Sequence, residues 1–318
     1  MSELNWGIIG LGAITHDFAE SLKALERSPY AVASRELHRA QEFQKQYNAT
    51  KAYGSYQELL QDENVDIVYI ATVNSQHMDN IMMCLEYNKH IMCEKAIWGD
   101  YAQMQNAKQI AQEKNLILAE GMTIFHMPIM KKVKSLIQNG ELGKIKFIEA
   151  ELGSLKEDDP ENRFFSKELG GGAMLDIGTY GLSFVSYFMS GEITQVKSTM
   201  SKYRTGVDES WAISLKSSTQ EVASVNLTFR AKLPKRAIIA GDKAYITIDN
   251  YVRADEAVFV TPDGNKVIIC EGKTANAMQY EIIDMEKAVN TGDSGHIYLD
   301  ETMKVVKLMD ELLASPGE

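Results

Sequence analysis

The sequence predicts an α/β protein of two domains: an N-terminal doubly wound parallel sheet, then an α+β domain with an open, mostly antiparallel sheet. Three observations carry this expectation. The chain has 318 residues, more than one hydrophobic core usually serves. From Leu4 to about Ala119, short apolar runs alternate with longer amphipathic stretches, which is the rhythm of strands and crossover helices. After Gly121, strand-like runs follow one another on short turns, which suits antiparallel pairing. The domains are therefore expected at residues 1–120 and 121–318.

In the first domain, "WGIIG", "YAVAS", "VDIVYIAT", "HIMCEK" and "NLILAE" are the expected strands. Between them, "AITHDFAESLKALER", "RELHRAQEFQKQY", "SQHMDNIMMCLEYN" and "DYAQMQNAKQIAQEK" space their apolar residues as helices do. The second domain opens with a helix, "MPIMKKVKSLIQNG", and a strand, "KIKFIEAEL". The glycine run of "GGGAMLDIGTYGLSF" breaks the chain before a further helix, which carries Asp176 and Tyr180 four residues apart. Seven strand-like runs follow, from "ITQVKSTMSKY" to "KVIICE", punctuated by turn signals such as "GDK" and "PDGN". Two last helices, "NAMQYEIIDMEKAVN" and "YLDETMKVVKLMDELL", are expected across that sheet or back on the first domain. Helices that shield one face of an open sheet leave the other for a second copy of the chain. A homodimer or homotetramer through the C-terminal sheet is expected.

Charge and composition narrow the function. With 33 Lys and Arg against 44 Asp and Glu, the chain has no basic footprint, so neither nucleic acid nor an anionic membrane is an expected partner. A small molecule is. No run of 18 apolar residues occurs, and the N-terminus has no basic stretch leading an apolar one. Cys84, Cys93 and Cys270 form no CxxC pair, which suggests free thiols in a reducing, cytoplasmic setting. The six histidines make neither HxxxH nor HExxH, and no metal is expected.

The motifs point to a dinucleotide. In "GIIGLGAIT", Gly10 and Gly12 follow the first strand and open the first helix. Gly10 would make the tight turn, Gly12 would admit a pyrophosphate, and the amides behind it, from Ala13 and Ile14, would bind its charge. This is the start of a Rossmann domain, although Thr15 stands at the third fingerprint position. The end of the second strand reads "VASRELHRA" where NAD enzymes usually have an acid. Ser34, Arg35 and Arg39 suit the 2′-phosphate of NADP, with NAD as the alternative. The alternative reading of Arg35 and Arg39 is solvated charges opening a helix, where Glu36 is close enough to pair with either.

"HIMCEKAIWGD" ends a strand at the carboxyl edge of the sheet, where open α/β folds bind ligands, and so places Glu94 and Lys95 beside the cofactor. Lys95 would favour the phenolate of a neighbouring tyrosine, and Tyr180 is the candidate. Such a pair can exchange a proton with an alcohol or carbonyl while hydride moves.

The GxG turn, "TVNSQH", "CEKA" and the glycine loop before "DIGTYGL" together resemble the glucose-fructose oxidoreductase and inositol dehydrogenase family, Gfo/Idh/MocA, over nearly the whole chain. Many members have histidine where this chain has Tyr180. Tyrosine is similar to the branch containing dimeric dihydrodiol dehydrogenase and glucose-fructose oxidoreductase. The resemblance implies an NAD(P)-dependent oxidoreductase acting on a secondary alcohol or carbonyl of a sugar, polyol or dihydrodiol. It implies Tyr180 as acid/base, Lys95 as its aid, Asp176 orienting Lys95 or a substrate hydroxyl, and Thr72, Asn74 and His77 on the cofactor side. His77 alternatively caps or packs against the next helix. Arg163 of "ENRFF" resembles a segment lining the substrate pocket, with pairing to Glu161 or Glu168 as the other reading. Phe125 and Trp98 are aromatic wall candidates that also read as core. The family usually has Glu-Lys-Pro where this chain has Glu-Lys-Ala, which leaves the geometry of the Lys95–Ala96 bond open. Two other functions stay in view: a dinucleotide-binding regulatory protein without turnover, and an NAD-dependent inositol or sugar dehydrogenase.

Overall fold

The computed structural model describes residues 4–97 and 100–315. It divides into two compact units, Met1–Met122 with Met278–Val306, and Thr123–Ala277 with Lys307–Glu318. Of the two places the sequence leaves for the last helices, Met278–Val306 takes the first unit.

The first unit carries a parallel sheet of β1 (Trp6–Ile9), β2 (Ala31–Ala33), β3 (Lys51–Tyr53), β4 (Ile67–Ile70), β5 (His90–Glu94) and β6 (Leu118–Gly121). Their order is β3-β2-β1-β4-β5-β6, so the winding reverses between β1 and β4, the place where doubly wound sheets open a crevice at their carboxyl ends. Connecting helices are α1 (Ala13–Ala24), α2 (Leu37–Tyr47), α3 (Tyr56–Leu60), α4 (His77–Glu86) and α5 (Tyr101–Glu113). Neither β3 nor α3 was expected. Three half-buried residues are too short a run to alternate, and the five-residue α3 exists because Ser55 accepts the Glu58 amide as its N-cap. In the core, the Phe18 ring stacks on Tyr69 at 3.8 Å and meets Trp6 edge-on at 5.1 Å.

The second unit begins with α6 (Thr123–His126) and α7 (Pro128–Gln138). Its sheet contains β7 (Ile145–Gly153), β8 (Ile193–Lys202), β9 (Asp208–Ser217), β10 (Val222–Thr228), β11 (Arg236–Gly241), β12 (Tyr245–Asp249), β13 (Glu256–Val260) and β14 (Lys266–Cys270). The order is β14-β13-β12-β11-β7-β10-β9-β8, and β7 with β10 is the parallel pair that makes the sheet mixed. Helix α8 (Thr179–Phe188) packs on β7 and β10, and a Cβ at Gly181 would come within 2.6 Å of Val225. Alternation sorts the sheet faces. Ile148, Val225, Leu227, Ile239 and Ile246 are buried, whereas register partners Val222, Phe147 and, across Ala240, Tyr245 are exposed on the other face.

The C-terminal helices are α9 (Ala277–Thr291) and α10 (Leu299–Ala314). In the first unit, Ile282, Met285 and Ala288 join the core of the parallel sheet, and Trp6 Nε1 donates to Glu286 Oε1 at 3.0 Å while Arg27 pairs with the same carboxylate. Cys84 and Cys93 are buried free thiols, and Cys270 is an exposed one. Among the described residues no helix is long and apolar enough to cross a membrane.

Candidate active site

The turn from β1 into α1 is built for close approach. Gly10 has φ +84°, and a Cβ there would lie 2.7 Å from the Ala71 main chain and 2.8 Å from the Thr72 amide, so only glycine fits. At Gly12, the N-cap of α1, a Cβ would meet nothing within 4 Å. Helix α1 has no side-chain cap and no acid in its first turn, so its amide end offers positive potential to an anion. Thr15 turns inward, its hydroxyl donating to the Gly12 carbonyl at 2.5 Å, and occupies the third fingerprint position without obstructing the turn. A pyrophosphate fits this arrangement.

At the end of β2, Ser34 is buried and its hydroxyl accepts the Glu36 amide at 3.3 Å. Arg35 and Arg39 are exposed. Arg39 Nη2 donates to the Leu11 carbonyl at 3.2 Å, which sets a guanidinium against the glycine turn. Both arginines act electrostatically on the Tyr56 phenol, where burial raises the pKa and their charges lower it. Glu36 takes neither: its carboxylate lies 3.5 Å from His38.

The end of β5 is held from several sides. Glu94 accepts the buried Tyr69 hydroxyl at 2.5 Å and the Lys95 amide at 3.2 Å. Burial first, then the Glu94 charge, pushes the Tyr69 phenol far above its usual range, so it stays a donor. The Lys95–Ala96 bond is cis. His77, at the start of α4, is 1% exposed, with Nδ1 2.9 Å from the Ala96 carbonyl and Nε2 3.1 Å from the Thr72 carbonyl. Burial lowers its pKa, the two carbonyls acting against that. A neutral ring donates to one carbonyl at a time. Thr72 is fixed again by Asn80, whose Nδ2 donates to its Oγ1 at 3.0 Å. Asn74 opens the short 3₁₀ turn Asn74–Gln76 just before α4.

In the second unit, the glycine loop folds onto the protein itself. Gly171 and Gly172 donate to the carbonyls of Ser166 and Phe164 at 2.8 and 2.9 Å, and a Cβ at Gly171 would lie 2.7 Å from either oxygen. Gly172, with φ +119°, leaves room for Asp208, which would sit 2.2 Å from its Cβ. Buried Asp208 accepts the Met174 amide at 2.6 Å and the Trp211 indole at 2.7 Å. The segment carrying Asp176 is then a π turn, Met174–Gly178, rather than the α turn its spacing implied. Tyr180 follows in the first turn of α8. Tyr251, fully buried, has its phenol pushed up by burial first and by Tyr180 next.

Lys156 was not legible as a site residue. Its Nζ lies 3.6 Å from Asp176 Oδ2 and 3.6 Å above the Phe164 ring. Arg163, exposed, stacks on the same ring at 4.2 Å, while Glu168 accepts from Ser166. Asp176, Lys156, Phe164 and Arg163 thus form one cluster. Phe125 is a core residue packed against Tyr187 at 5.4 Å, and Trp98 lies outside the described residues. No group of three or more His, Cys, Asp or Glu side chains among the described residues is arranged to hold a metal.

Comparison with known proteins places this geometry. An oxidoreductase family's NAD-binding Rossmann domain, that of Gfo/Idh/MocA, matches residues 4–122, and the family's C-terminal domain matches residues 130–247. The chain is 33% identical to trans-1,2-dihydrobenzene-1,2-diol dehydrogenase of Xenopus tropicalis, over 98% of both chains. It is 29% identical to the Homo sapiens protein of that name, over 99% of this chain and 97% of the other. Among solved structures, levoglucosan dehydrogenase in complex with NADH superposes with a TM-score of 0.90 at 20% identity, covering 98% of this chain and 96% of that one. A 3-ketoreductase from Actinomadura kijaniata in complex with NADP and TDP-benzene gives 0.87 at 20% identity, covering 98% of each. At that identity these structures speak for the fold.

The β1–α1 turn makes a direct prediction. Gly10→Ala forces a left-handed backbone and a main-chain clash together, and is expected to weaken binding of a nicotinamide dinucleotide, NADPH or NADH, at least ~10-fold. A fluorescence titration giving the wild-type affinity would contradict the role of this turn.

Proposed function

The chain belongs to the Gfo/Idh/MocA oxidoreductase family, and from that premise we propose an NADP-dependent dehydrogenase or reductase acting on CH–OH groups of a small dihydrodiol, polyol or sugar. One observation carries the choice of NADP. The Arg39 guanidinium is tied to the glycine turn through Leu11, with exposed Arg35 and buried Ser34 beside it and Glu36 turned to His38. Planar guanidinium groups bind a 2′-phosphate in fork geometry. The diol reading rests on the 33% identity to the dihydrodiol dehydrogenase.

The nicotinamide, when bound, takes or gives the hydride. This chain's part is binding, orientation and the proton. Gly10 and Gly12 admit the pyrophosphate to the N-terminus of α1, with the Ala13 and Ile14 amides next to it; Thr72 and Asn74 line the same edge. His77 supports them by holding two main-chain carbonyls. In the oxidation direction the carbinol carbon loses hydride, its hydroxyl proton passes to the Tyr180 phenolate, and a carbonyl forms; reduction reverses each transfer. Lys95 supplies the positive charge that favours the phenolate. Asp176 orients a substrate hydroxyl, with Lys156 keeping a cation beside its carboxylate. Arg163 on Phe164 offers further donors to substrate oxygens.

The exposed face of the second unit's sheet supports a homodimer. Phe147, Val222, Tyr245 and Ile268 are all on it and are each between 38% and 62% exposed, an apolar surface that a second copy would cover.

Three measurements test these readings. NADPH is expected to bind more tightly than NADH, and Arg35→Ala to weaken NADPH ~10-fold or more with little change for NADH; equal weakening of both would remove the 2′-phosphate argument. Tyr180→Phe should retain NADPH affinity and lose roughly 10²–10⁴-fold in kcat with a trans-dihydrodiol and NADP. Normal turnover there would end the acid/base assignment, and a wild-type chain that binds NADPH but turns over no diol, polyol or sugar would favour the regulatory reading. Phe147→Asp should shift the sedimenting species from dimer to monomer; an unchanged dimer would move the interface elsewhere.

A further inference from the structure

Glu120 belongs to no motif in the sequence, yet it is tied to the segment that carries Lys95. It sits in β6 opposite Cys93 of β5, 2% exposed. Glu120 Oε1 accepts the Ile97 amide at 3.0 Å, and Oε2 accepts the Thr302 hydroxyl of α10 at 2.9 Å. Side chains therefore grip three consecutive residues: Glu94 takes the Lys95 amide, His77 faces the Ala96 carbonyl, and Glu120 takes the Ile97 amide. Thr302 fixes the last of these grips from the C-terminal helix.

Hydrogen bonding alone does not explain a carboxylate here. A glutamine would accept the Ile97 amide and meet the Thr302 hydroxyl without placing an ionisable group in the interior. Cys93 of β5 is the register partner of Glu120, and the charges acting on it are Glu94, at the end of β5, and Lys95, which follows that strand; Glu94 and Glu281 of α9 each hold a carboxylate oxygen 3.5 Å from where a Cβ on the next residue, Gly121, would be. Burial raises the Glu120 pKa most, the Ile97 and Thr302 hydrogen bonds lower it, Glu94 raises it and Lys95 lowers it, leaving it pushed up to about 7. Lys95 is the cation in this set, and an ionised Glu120 favours its charged form.

We infer that Glu120 is a positioning residue for the proposed hydride transfer, its carboxylate fixing the Lys95–Ile97 turn and its charge sustaining the Lys95 ammonium. The inference rests on Lys95 having the role proposed above. Glu120 itself touches neither proton nor hydride.

Glu120→Gln keeps the shape and removes the charge. With NADP and a trans-dihydrodiol at pH 8, kcat is expected to fall on the order of ten- to a hundredfold, with the NADPH dissociation constant within about twofold of wild type. Lys95→Met combined with Glu120→Gln should be no slower than Lys95→Met alone, since the second change acts through the first. Stability should move the other way. Because the folded pKa lies above the ordinary glutamate value of 4.5, Glu120 favours folding below that value and loses this contribution as the pH rises through about 7. The variant should then melt above wild type at pH 8, with the gap narrowing as the pH falls and closing below 4.5. If Glu120→Gln does not fold, Thr302→Val serves instead. It frees Oε2 alone, and should lower kcat several-fold at unchanged NADPH affinity. Wild-type kcat in the folded variant, an additive loss in the double variant, or lost NADPH binding would each overturn the inference. A Lys95→Met chain with normal turnover, or a wild-type chain without any, would fail the underlying reading; an inactive Lys95→Met beside a fully active Glu120→Gln would fail this inference alone.

Discussion

Everything at the carboxyl edge of the parallel sheet depends on one close approach, that of the Gly10 turn to the end of β4. With 2.7 Å between a Gly10 Cβ and the Ala71 main chain, any side chain there would drive β1 and β4 apart. The approach fixes where α1 begins and where Thr72 lies, and a chain of polar contacts runs on from it. The Thr72 carbonyl meets His77 Nε2, His77 Nδ1 meets the Ala96 carbonyl, the Ile97 amide meets Glu120, and Glu120 meets Thr302. Main-chain groups of the two loops and side chains of two helices therefore share one network, in which the position of any member is set by its neighbours.

The second unit solves a similar problem in the opposite way. The close approaches of its glycines are to Phe164, Ser166 and Asp208 of the protein itself. Asp208 replaces a helical partner for the Met174 amide, and the chain enters α8 through a π turn. Such a turn is wider than an α turn and is frequent at functional sites. Asp176 is on that turn and beside Lys156, a pairing that follows from loop geometry and not from helical spacing.

Period and punctuation made most of the fold legible. The strand and helix rhythm, the GxG after the first strand and the run of short strands after Gly121 are local signals, and the elements they mark are present. What escaped was short or distant. Three residues in β3 and five in α3 hold no period. For the last helices the sequence left two places, and the choice of the first unit by Met278–Val306 depends on contacts such as Trp6 with Glu286, 280 positions apart. At the site, Gly10, Arg39 and Asp176 could be read from motif context, whereas Lys156 stands in an irregular loop and Glu120 within an apolar strand run, where no local pattern marks a partner. His77 was legible as a position but not as a job, because its two carbonyl contacts come from separate loops.

The distribution of polarity in the first unit gives these contacts a common logic. Strands β1 and β4 are buried along their whole length, and the polar groups on their side chains are the Trp6 indole N–H and the Tyr69 hydroxyl. The acids come at the carboxyl ends of β5 and β6, as Glu94 and Glu120. Burying a carboxylate is unfavourable anywhere in a core, but it is tolerable where main-chain amides and hydroxyls stand ready to donate, and a strand end leaves such amides unpaired by the ladder. The same edge is where a doubly wound sheet opens its ligand crevice. A chain shaped for stability alone would put amides or apolar groups at these positions. Two carboxylates, each accepting an amide of the segment that carries Lys95, are the arrangement that the inferred role of Glu120 calls for: stability given up to hold a charge in place.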